Sequence, residues 1–246
     1  LASIAIASLS ISCKKDDGIS TTTTTTTTTT LPDVYKKYSS TVTVYVDGNY
    51  VVLKSNGLPD HKSPYYKNTQ WESTLYEAYN GTNSAWSQNP NKIASQNYVF
   101  KIPISPAVSS AHAETPMGPM GIALNGVPIF NQYAAGRVAL TTEINSFDQY
   151  GGHPAQAGDY HYHVEPLYLT GKNGKSSLIG FLLDGYPVYG PQENGKTITN
   201  SDLDTYHGHT AATTEYPGGI YHYHITSESP YINGVGFYGT AGTVTN

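Results

Sequence analysis

Thiol and guanidinium groups are almost missing from this chain. Its 246 residues include one cysteine, Cys13, and one arginine, Arg137. A single thiol excludes an internal disulfide. Thirteen Lys+Arg stand against 18 Asp+Glu, a net charge of −5, which argues against a nucleic-acid surface. Charged residues make up only 13%, about half the roughly 25% of an average domain. No run approaches the roughly 18 apolar residues of a membrane-spanning helix, which excludes an integral channel or transporter. The G-x-S-x-G elbow of serine hydrolases is also absent. In place of charge stand 22 Tyr, 24 Gly and 15 Pro. Tyrosine can pack in a core and still hydrogen-bond.

Residues 1–12, LASIAIASLSIS, form an uncharged run of small and apolar residues that meets Cys13. This stretch resembles a secretory signal remnant, with Cys13 at the place of the acylated cysteine of bacterial lipoproteins. The lipobox leucine is replaced by Ser10. Lys14, Lys15, Asp16 and Asp17 are similar to the charged tag of Bacteroidetes surface lipoproteins. That resemblance implies lipidation at Cys13, an anchor in the outer membrane and a location on the cell surface. With Cys13 lipidated, no cysteine nucleophile remains. Thr21 to Thr30 are ten consecutive threonines that can neither nucleate a helix nor bury a core. The chain therefore divides into a signal and lipobox remnant (1–13), a threonine-rich linker (14–33) and a folded domain (34–246).

Within that domain the pattern is that of strands. Residues 41–46 (TVTVYV) and 50–53 (YVVL) flank an Asp47-Gly48 turn signal. The one helix candidate is Trp71 to Tyr79. Gly and Pro recur about every ten residues thereafter, which favours a sandwich or barrel-like domain, mainly β with little helix.

Three segments occur twice in the same order. GIALNGVPIF (121–130) matches GFLLDGYPVY (180–189), FDQYGGH (147–153) matches LDTYHGH (203–209), and YHYH (160–163) matches YHYH (221–224). Two β-rich halves are expected, at about 115–170 and 174–242.

Seven of the nine histidines fall in these markers. On a strand, side chains at i and i+2 share a face. His161 and His163 therefore converge on one side, as do His222 and His224, in the manner of His-x-His metal sites. His153 and His209 each follow a Gly and can supply a third imidazole. His161, His163, His222, His224, His153 and His209 are thus the candidate ligands. The same parity places Asp159 and Glu165 as further ligands or partners of them. His207 stands where the first half has Gly151, so it is a weaker candidate. Copper and zinc both suit neutral imidazole. Two arrangements stay open: one site per half, or one shared site.

GPQENGKT (190–197) fits the phosphate-binding pattern G-x-x-x-x-G-K-[ST], but no helix can follow in TITNS. Glu193 to Lys196 reads instead as a hairpin turn, and no nucleotide is expected.

With these motifs in view, the chain resembles the YHYH-domain family from about Val51 to Tyr238. SNGLPDH (55–61), Asn89-Pro90-Asn91 with Gln96, GPMG (118–121) and Ser229-Pro230-Tyr231 strengthen the likeness. The resemblance adds His61 as a candidate ligand. Relatives usually carry cysteines where this chain has Tyr150, Tyr206 and Val235 or Gly236, so the disulfide the family implies is absent. Three functions are compatible with the residues. The first is an extracellular, lipid-anchored, histidine-rich domain binding copper or zinc. The second is a hydrolase or lyase built on a His-ligated ion. The third is a metal-free module for polysaccharide or a small-molecule ligand.

Overall fold

The computed structural model describes residues 30–246. Cys13, the lipidation site expected from the sequence, and most of the threonine run lie outside the described residues. The β-branched run after Thr41 forms β1 (Thr43–Asp47), paired antiparallel with β2 (Tyr50–Ser55). Asp47 pairs with Tyr50, so the two-residue turn is Gly48 and Asn49, with Gly48 at φ 59°. Of the expected helix at 71–79, only α1 (Glu72–Leu75) forms. β3 (Tyr98–Pro103) then lines β2.

The first half consists of β4 (Gly121–Ala123), β5 (Pro128–Ile129), the hairpin β6 (Tyr133–Ala134) and β7 (Val138–Ala139), a 3₁₀ turn (Glu143–Ser146), β8 (Gly152–Pro154) and β9 (Tyr160–Tyr162). A second helix, α2 (Leu167–Asn173), links the halves. Its sequence, LYLTGKN, carries a Gly and a β-branched residue that weaken helix propensity. It is held instead by burial of Leu169 and Thr170. The second half repeats the order with β10 (Leu178–Leu182), β11 (Pro187–Tyr189), the hairpin β12 (Gln192–Glu193) and β13 (Lys196–Thr197), a 3₁₀ turn (Asn200–Asp202), β14 (Gly208–Ala211) and β15 (Ile220–His224). β16 (Thr243–Thr245) returns to pair with β3. Glu193 to Lys196 is the hairpin read from sequence, with Asn194 and Gly195 at positive φ.

Of the two larger sheets, one has the order β1-β2-β3-β16 and the second is eight-stranded, β14-β15-β11-β10-β4-β5-β9-β8, while β6-β7 and β12-β13 stand as two-stranded sheets. Neither larger sheet closes, so the architecture is sandwich-like and the barrel alternative is not adopted. The eight-stranded order is palindromic about the antiparallel pair β10–β4. There Phe181 faces Ile122, while Gly180 faces Ala123 and Leu182 faces Gly121. Under the repeat alignment the first pair maps onto itself and the other two exchange. A pseudo-two-fold therefore passes through Ile122 and Phe181, perpendicular to the sheet, and equivalent side chains lie on the same face. Gly121 and Gly180 permit this close pairing: a Cβ on either would lie within 2.5 Å of a carbonyl across the axis. Tyr35, just after the threonine run, stacks on Phe181 over the axis, with ring centres 4.5 Å apart. One hydrophobic core runs through both halves and the four-stranded sheet.

Candidate metal centres

Each half gathers three imidazoles and one carboxylate. Glu143, His153, His161 and His163 converge in the first half; Glu193, His209, His222 and His224 converge in the second. Within each group the ligating atoms all lie within 4.8 Å of one another.

All three repeated segments build each centre. β8 pairs with β9 so that His153 faces His161, and β14 with β15 so that His209 faces His222. The Gly-His segment thus delivers the third imidazole directly across the ladder. Tyrosines fix the strand from behind. The first tyrosine of each YHYH donates to the aspartate of the second marker: Tyr160 to Asp148 at 2.9 Å and Tyr221 to Asp204 at 2.9 Å. The second tyrosine binds the turn residue of the first marker. Asn125 donates to Tyr162 at 3.1 Å, and Tyr223 donates to Asp184 at 2.6 Å. Parity then aims the intervening histidines at the opposite face.

The imidazole orientations are fixed by the backbone. Nδ1 of His161 lies 2.8 Å from Asp159 O, and Nδ1 of His163 lies 2.5 Å from Asn131 O. In the second centre, Nδ1 of His222 and His224 lie 3.0 and 2.8 Å from the carbonyls of Ile220 and Gly190. A carbonyl can only accept, so each Nδ1 carries the proton and each neutral Nε2 presents a bare lone pair. Those lone pairs face each other, at 2.9 Å for His161–His163 and 3.1 Å for His222–His224, and His209 Nε2 lies 3.1 Å from His222 Nε2. A tetrahedral ion with Zn–N bonds of about 2.0–2.1 Å holds its nitrogens roughly 3.3 Å apart.

A proton could bridge such a pair only by making an imidazolium, which burial opposes. Burial, aided by the neighbouring imidazoles, holds His161 well below its usual value. Burial also holds His163 and His224 down at about 4 and lowers His222. The carboxylates complete the sets. Glu143 Oε1 is 3.1 Å from His153 Nε2, and Glu193 Oε1 is 3.2 Å from His222 Nε2. The neighbouring His153 ring holds the Glu143 carboxyl below the usual range.

The six marker histidines come together three by three, one group per half. Four other residues weighed from sequence lie outside both groups. His61 is on the tyrosine face, with Nε2 3.1 Å from the Tyr162 hydroxyl. His207, at φ 72° where the first half has Gly151, contacts Asn200 and Thr226. Glu165 is bound by Lys175 and Thr170; β9 ends at Tyr162, so strand parity does not extend to it. Asp159 touches the first centre through its carbonyl, not its carboxylate.

Glu143 and Glu193 escaped the sequence reading because the repeat does not share them. Glu143 sits on the 3₁₀ turn whose counterpart is Asn200–Asp202, and Glu193 sits on β12, whose counterpart β6 carries Ala134. The two halves thus supply an equivalent charge from different elements.

The family model of the YHYH proteins matches residues 99–198 and 192–236. The chain belongs to the YHYH family. No curated protein and no solved structure matches it. In this YHYH chain the family's namesake tetrapeptide has two separable tasks: tyrosines lock the strand, and histidines face a shared centre.

Proposed function

We propose that each half binds one divalent transition-metal ion through three imidazole Nε2 atoms and one carboxylate, giving a chain that holds two ions. The observation that carries this reading is the set of buried Nε2 lone pairs 2.9–3.1 Å apart, each with its Nδ1 proton committed to a carbonyl. Three nitrogens and one oxygen suit zinc or copper(II), and the described residues include no thiolate to favour copper(I). Four converging groups form a closed set, which favours holding an ion over the open position of a catalytic zinc. The hydrolase or lyase reading draws support from a cavity of about 330 Å³ against Glu143, His161 and His163. The metal-free module is less well supported, because the YHYH tyrosines are buried and bonded inward.

The run ending at Cys13 and its Lys-Lys-Asp-Asp tag support a lipid anchor that displays this domain outside the cell. Cys13→Ser is expected to release the protein to the medium; unchanged membrane fractionation opposes the anchor. The metal reading is tested by elemental analysis of protein purified without a histidine tag. Two equivalents of zinc or copper are expected, falling to about one in His161→Ala and in His222→Ala. Metal content unaltered by both substitutions would remove the proposal.

A further inference from the structure

The two centres share a donor set but differ in how firmly it is held. In the first, Ser146 Oγ donates to Glu143 O at 2.7 Å. The same oxygen lies 2.7 Å from Nδ1 of His153, which Asn89 Nδ2 also approaches at 3.2 Å. One hydroxyl therefore ties the carboxylate-bearing turn to the third imidazole. Phe147 stacks on His163 at 5.6 Å and meets His153 edge-on at 4.8 Å, while Phe130 stacks on His161 at 3.9 Å. The His153 side chain is 4% exposed.

In the second centre the third imidazole, His209, is 27% exposed. Among the described residues nothing bonds to its Nδ1. Leu203 stands where the first half has Phe147. Glu193 rides on a two-residue strand that turns at Asn194 and Gly195. Partners that orient ligating imidazoles typically change metal affinity by 10–100-fold.

We infer that the halves have divided the work: the first centre retains its ion, and the second is an exchange centre that trades a divalent ion with a soluble chelate. His209 is the ligand that swings away to admit the incoming donor. This inference rests on the metal reading above.

The test is release of zinc from the fully loaded chain to the chromogenic chelator pyridylazoresorcinol. Two phases of one ion each are expected, differing in rate at least about tenfold. His209→Ala should abolish the fast phase and His153→Ala the slow one. Ser146→Ala, which keeps every ligand, should speed the slow phase about tenfold and leave the fast phase alone. Loss of both ions in a single phase overturns the division, as does loss of the slow phase in His209→Ala with the fast phase intact. A chain that takes up no zinc at all overturns the metal reading itself, a result distinct from either.

Discussion

Tyrosine alternates with histidine in both strands because the two side chains are anchored on opposite faces by different partners. The Tyr160 hydroxyl reaches both oxygens of Asp148, a fully buried carboxylate that also accepts from Ser63. Tyr160→Phe removes one charge-assisted bond and is expected to cost about 1.5–3 kcal/mol, measured by denaturant unfolding. A loss below about 0.5 kcal/mol would mean that water replaces the hydroxyl. The histidine face makes a prediction about acid. His163 and His224 are held at about 4, whereas a free imidazole titrates near 6.5. Between those values the unfolded chain binds more protons than the folded one. Stability of the metal-free protein is therefore fully present above about pH 6.5 and falls as pH drops towards 4. Chelator-treated protein should show a declining Tm across that window, and a flat Tm from about pH 7 to 5 contradicts the burial described. The imidazoles were legible in sequence because His-x-His and Gly-His are local signals. Glu143 and Glu193 were not, since comparing the halves keeps what they share and discards what each supplies alone.

At the scale of elements, strands read well and helices poorly. β1, β2 and the β12–β13 hairpin follow from β-branched runs and Asn-Gly chemistry, which act over two to six residues. α2 was missed because burial, rather than propensity, stabilises it. Glycine exposes the same contrast. Gly171 lies within α2 with nothing near its would-be Cβ, so Gly171→Ala should stabilise by about 0.5–1 kcal/mol. At Gly180 a Cβ would sit 2.2 Å from Ile122 O, a backbone atom with no room to yield. Gly180→Ala is expected to destabilise by about 2 kcal/mol or more through forced separation of β10 and β4. Paired thermal melts of the two variants check both signs, and equal effects would show that the strands separate without cost.

For the whole molecule, the decisive feature is the strand pair that maps onto itself. With Ile122 and Phe181 at the axis, β9 and β15 stand five strand spacings apart on one face of a continuous sheet. At about 4.8 Å per spacing, that is roughly 24 Å. Dinuclear hydrolases need their ions about 3.5–4 Å apart, so no single substrate atom can be clamped between these two. If both centres are filled with copper(II), the chain becomes a molecular ruler. The electron spins are too distant for exchange coupling yet well placed for dipolar coupling, and pulsed double-resonance spectroscopy should return one narrow distance near 25 Å, whose width reports how stiffly the duplicated halves are joined.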